Sequence, residues 1–122
     1  MTDIDRRAKG LSTIKEVYGD WITEHLPPAG KSRYIDFMLE TLFGELWASD
    51  VLSFRDRRLL LLGAIAAQGE EAVFRIQAAA ALKRGELDGE QLQEAVLFLT
   101  QYVGYPRGSK LHTALGDVLQ KS

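Results

Sequence analysis

Residues Leu59 to Ala67 read LLLLGAIAA, an unbroken apolar run set between the charged cluster RDRR and the polar QGE. The run is far shorter than the ~20 residues needed to cross a bilayer core. Its left flank, Ser53-Phe54-Arg55-Asp56, is an approximate helix-capping pattern in which Asp56 takes the place of the usual Glu or Gln. Gly69 supplies the stop, so the spacing predicts a helix over about 54–68. Such a helix has no polar face and demands burial all round. Other helices must cover it.

The remainder supplies them. A first stripe, Ile4, Ala8, Leu11, Ile14, Val17 and Tyr18, suggests a helix over 4–18 that ends at Gly19-Asp20. His25 to Gly30 holds two prolines and a glycine and reads as a linker. A second helix, 31–47, places Tyr34, Phe37, Met38, Leu42 and Leu46 on its apolar side, with Gly44 loosening its end. Glu70 to Arg84 form a fourth helix closed by Gly85 as a C-terminal cap. Asp88-Gly89-Glu90-Gln91 is a capping box for a fifth, which reaches Val103 through AVLFL and again calls for burial on more than one side. Pro106 suits the first turn of a sixth, with Leu111, Ala114, Leu115, Val118 and Leu119 along one stripe. No stretch sustains the period-two alternation of a strand. The expectation is an all-α domain of six helices, one unit over 1–122, with 1–30 as an N-terminal helix and linker and 31–122 as the core.

Composition narrows the function. With 15 basic and 17 acidic side chains and no block of like charge, nothing marks a nucleic-acid footprint. The absence of cysteine removes disulfides, thiolate metal sites and thiol redox chemistry. The N-terminus MTDIDRRAKG has no apolar signal region, and the reading is a soluble, cytoplasmic protein without a membrane partner. No motif calls for a metal or a cofactor. Two helices without a polar face and an Ala-rich third hold more apolar surface than one small subunit hides, which points to a homo-oligomer.

Candidate site residues are few. In FRIQAAAALKRG, Gln77 shares a helical wall with Val73, Phe74, Ala80 and Ala81, so its amide faces apolar neighbours. It either bonds a nearby group and joins two helices, or lines a small pocket and orients a ligand. Glu45, in FGELW, lies between Phe43 and Trp47 and is a candidate acid or base. His25 and His112 stand far apart, with no carboxylate or second His at metal-ligand spacing. The basic clusters RDRR (55–58) and PRGSK (106–110) begin helices, where cations oppose the dipole unless an acidic partner or an anionic ligand is near.

Phe43-Gly44-x-x-Trp47, Leu52-Ser53-x-Arg55-Asp56-Arg57, Gly85 before Leu87, and Tyr102-x-Gly104-x-Pro106 occur in an order that resembles the carboxymuconolactone decarboxylase family, of alkylhydroperoxidase D-like fold. The resemblance covers roughly residues 35–120. It implies an all-α fold, a homo-trimer or homo-hexamer, and a lyase acting on a small organic acid or lactone in aromatic-compound metabolism. The peroxidase branch of that family uses a Cys-x-x-Cys pair, which this chain lacks. The decarboxylase branch carries a His that falls on Gln77, a second polar or His position that falls on Phe98, and an Arg that falls on Ser49. Glu45 keeps its family place. The resemblance thus implies catalytic positions at Glu45 and Gln77, and Trp47, Phe74, Phe98, Tyr102 and Arg55 are the candidate substrate-binding residues. Because an amide transfers no proton near neutral pH, the expected pocket is altered, less polar and fitted to a less anionic ligand. A non-catalytic binding or structural oligomer is the alternative.

Overall fold

The computed structural model describes residues 2–121, and among these every regular element is helical. Helix α1 (Asp3–Tyr18) starts from a capping box in which Thr2 and Asp5 each bond the other's backbone N–H, and ends at Gly19 with φ 109°. A 3₁₀ turn (Asp20–His25) follows. Helix α2 (Arg33–Phe37), capped by Ser32, widens without a break into a π-helical stretch (Met38–Leu46). Then come α3 (Phe54–Gln68), α4 (Glu71–Lys83), α5 (Gly89–Val103) and α6 (Tyr105–Lys121). The chain divides into two compact units that meet at Ser53 and Phe54, so the division falls later than the linker at residues 25–30.

In the first unit, α1 lies against the π stretch at glycine distance. A Cβ on Gly10 would come within 1.7 Å of the Leu39 carbonyl oxygen, and one on Gly44 within 2.7 Å of the Arg6 carbonyl oxygen. Gly44 therefore permits helix contact and does not loosen a helix end. The buried face of this helix is Leu39, Phe43 and Trp47, whereas Tyr34, Phe37, Leu42 and Leu46 are exposed. That reverses the stripe expected from α-helical spacing. The physical reason is the contact with α1, which at Gly10–Leu39 and Gly44–Arg6 takes the Leu39, Phe43 and Trp47 side of the helix; within the wider stretch the Trp47 N–H donates to the Leu42 carbonyl, five residues back. On α1 the outcome is mixed. Ile14 and Val17 are buried as expected, while Ile4 and Ala8 face solvent and Gly10 and Thr13 take the inner positions.

One ion pair ties the linker down. Arg7 Nε donates to Asp36 Oδ1 at 2.8 Å, Arg7 Nη2 donates to the Pro27 carbonyl at 3.0 Å, and the Gly30 N–H donates to Asp36 Oδ2 at 3.0 Å. The hydrogen bond from Arg7, aided by that from Gly30, holds the Asp36 carboxyl below the ordinary aspartate range. A depressed folded-state pKa stabilises above the unfolded value of about 3.9 and is lost as pH falls through the folded one. Asp36→Asn should accordingly lower the thermal midpoint at pH 7, and the gap to wild type should narrow steadily below pH 4.

In the second unit the apolar run of α3 packs through Leu62, Ile65 and Ala66 on Phe74, Ala78 and Ala81 of α4, Leu92 and Val96 of α5, and Leu111, Ala114 and Leu115 of α6. Both predicted stops of the first helix pair are Schellman caps. The N–H groups of Gly69 and Glu70 donate to the carbonyls of Ala66 and Ile65, and those of Gly85 and Glu86 to Leu82 and Ala81. Asp88 and Gln91 form the expected capping box. Burial all round is not reached within the chain, however. Leu60 of α3 is 66% exposed, and Leu97, Phe98 and Tyr102 of α5 are 55%, 60% and 78% exposed. Each helix at the rim of a small bundle can turn only part of its circumference inward. On α4 Val73 likewise turns partly outward, although Phe74, Gln77, Ala80 and Ala81 are buried.

Candidate functional site

Gln77 leaves the inner wall of α4 and meets a cation. Arg58, on α3, has no exposed side-chain surface. Its Nη1 donates to Gln77 Oε1 at 2.6 Å, its Nε donates to Glu86 Oε1 at 2.8 Å, and its Nη2 donates to Glu86 Oε2 at 3.2 Å. Arg84 Nε adds a bond to Glu86 Oε2 at 2.8 Å, and the Arg84 guanidinium lies 4.7 Å over the Phe54 ring. A buried charge is tolerable only when paired and hydrogen-bonded, and here the pairing is bidentate. Arg58 shares the inner stripe of α3 with Leu62 and Ile65, four and seven residues on. That register is legible in RDRRLLLLGAI, and of the two readings of the basic cluster Arg58 follows the acidic partner, here Glu86.

An open groove of about 440 Å³ lies beside this network, between α3 and α5. Leu59, Leu62, Leu87, Ala95 and Leu99 form its apolar lining, with Phe98 beside them and Arg55, Gln91 and Glu94 as its polar groups. The Phe98 ring leans on Tyr102, centroids 5.3 Å apart. Gln77 is not part of the lining. The structure thus brings Arg55 and Phe98 together, with Tyr102 alongside. Gln91, Glu94 and the leucines were not singled out from the sequence.

The other candidates fall elsewhere. Phe74 is 1% exposed and belongs to the core of the second unit, so it is not part of the groove wall. Glu45 and Trp47 belong to the first unit. Glu45 accepts a hydrogen bond on Oε1 from Arg6 Nη1 at 2.6 Å, and about half of its side chain is exposed. Arg6 also donates to Asp3, and its hydrogen bonds to the Asp3 and Glu45 carboxylates hold its guanidinium above the ordinary arginine range. Trp47 is buried and stacks on Phe43, the planes 9° apart. Both histidines are exposed. In the second basic cluster, the Arg107 stem passes 3.6 Å from where a Gly69 Cβ would stand, which carries this cation toward the C-terminal end of α3, where the dipole favours it. Among the described residues no three acidic or histidine side chains converge as a metal-ligand set, and no helix is long and apolar enough to cross a membrane.

Among the described residues the regular elements are all helical, and the groove lies between two of them. The family model described as the carboxymuconolactone decarboxylase family matches residues 33–115, and the chain belongs to that family. A search of curated proteins finds no match.

Proposed function

We propose that this chain is a non-catalytic, small-molecule-binding member of its family that works as a homo-oligomer. The observation that carries the reading is the state of Gln77. At the position where the decarboxylase branch has its histidine, an amide is buried beneath the guanidinium of Arg58, away from the groove lining. An amide so placed neither transfers a proton nor meets a ligand. The groove retains what binding needs, an apolar lining of leucines, an aromatic edge and one cation at Arg55. The outward apolar side chains Leu60, Leu97 and Tyr102 favour a second subunit as cover.

A panel of aromatic acids and lactones, screened by thermal shift and by product analysis, tests this. At least one member should raise the unfolding midpoint without being consumed, and Arg55→Ala should weaken its binding about tenfold or more, the loss of a charge-assisted contact of about 1.5–3 kcal/mol. Turnover that disappears in Glu45→Gln would replace the binding reading with that of a lyase working through Glu45. Light scattering on the eluted protein should give a mass well above the 13.6 kDa of one chain.

A further inference from the structure

The groove carries opposite charges that do not neutralise one another. Arg55 and Glu94 both line it, and no ion pair joins them. The carboxylate nearest to Arg55 is that of Asp56, at 4.0 Å, and both partners of that loose pair are about half exposed. Gln91 is committed on one side, since its Oε1 accepts from the Asp88 N–H at 2.9 Å. Resting on the proposed binding function, we propose that the groove selects a small apolar molecule bearing both an anionic group and a hydrogen-bond donor. The anion pairs with Arg55, the donor with Glu94, and the apolar body covers Leu59 and Leu99 beside Phe98.

The selectivity follows from desolvation. A ligand filling the groove strips water from both charged side chains, and a charge left dry and unmatched is costly. A simple carboxylic acid satisfies Arg55 but sets a like charge beside Glu94. A simple amine does the reverse. Only a molecule with both functions matches the pair, so Glu94 acts as the repulsive element that rejects plain acids. This is discrimination by penalty as much as by attraction.

Calorimetric titration of the full chain at pH 7 with 3-phenylpropanoate, phenylalanine and 3-(4-aminophenyl)propanoate tests the proposal, since the last two place the donor at different distances from the carboxylate. At least one donor-bearing acid should bind tenfold or more tightly than 3-phenylpropanoate. In Glu94→Gln that ratio should fall to within about threefold because the plain acid gains affinity, with circular dichroism verifying the fold of the variant. Equal binding of all three acids, or a ratio unmoved by Glu94→Gln, overturns the selectivity while leaving the groove as a binding site. Failure of all three to bind, together with a null panel of aromatic acids and lactones, overturns both readings.

Discussion

Glu86→Gln is expected to destabilise the protein by about 3–5 kcal/mol, the usual cost of leaving one member of a buried ion pair without its partner. Arg58 cannot escape to water, because its side chain has no exposed surface. Its Nε and Nη2 lose an anionic acceptor, and Gln77 Oε1 remains as a neutral partner to a full positive charge. Arg84 loses the same acceptor but is one-third exposed and can turn to solvent, so the penalty concentrates on Arg58. For a chain of this size the loss corresponds to a fall in midpoint of roughly 10–20 °C. Removing both charges, in Arg58→Met with Glu86→Leu, should cost much less than the single change. What then remains is chiefly the lost hydrogen bond from Arg58 to Gln77, about 1–3 kcal/mol. Thermal denaturation followed by circular dichroism decides the order. A single variant no worse than the double would show that the pair is not what holds α3 to the turn after α4.

Gly10→Ala should be the most damaging one-methyl change in the first unit. The added Cβ would sit 1.7 Å from the backbone oxygen of Leu39, an atom that no rotamer change can move. The two helices must separate, which breaks the packing around Leu39 and Phe43, both almost wholly buried. Overpacking of well-fitted sites costs about 1–3 kcal/mol and sometimes more, and a backbone clash of this depth belongs at or above the upper end. Gly116→Ala is the matched control. It lies in α6 with nothing within 4 Å of its Cβ position, so it should be neutral or stabilising by up to about 1 kcal/mol through helix propensity alone. The denaturant midpoint should fall in Gly10→Ala and stay level or rise in Gly116→Ala.

The elements visible in the sequence were those written in local chemistry. Gly69, Gly85, Asp88 with Gln91, and Pro106 each stand where the backbone needs that residue, and each helix end follows from them. What local spacing could not show was the widening of the helix at Met38, nor which of its faces α1 covers: Leu39 and Gly44 lie against α1, while Tyr34, Phe37 and Leu42 turn outward. The site divides along the same line. That Gln77 sits in an apolar wall follows from the wheel of α4. Its partner does not, because Arg58 and Glu86 lie 19 and 9 positions away in the chain and meet only once α3 packs on α4. The resemblance points to Phe98 and the basic cluster to Arg55, and both residues lie in the groove lining. Phe74, which the wheel of α4 sets beside Gln77, packs in the core of the second unit, because the wheel fixes a shared face but not what that face meets.

The central claim is that Gln77 is closed off by Arg58 and that ligand binding belongs to the groove between α3 and α5. A crystal soaked with the tightest-binding aromatic acid from the panel puts it to the most direct test. Electron density is expected along Leu59 and Leu99, with the acid's carboxylate within hydrogen-bond distance of Arg55 and the Arg58–Gln77 bond intact. Density lodged beside Gln77, with the Arg58 guanidinium swung away to admit it, would contradict that claim.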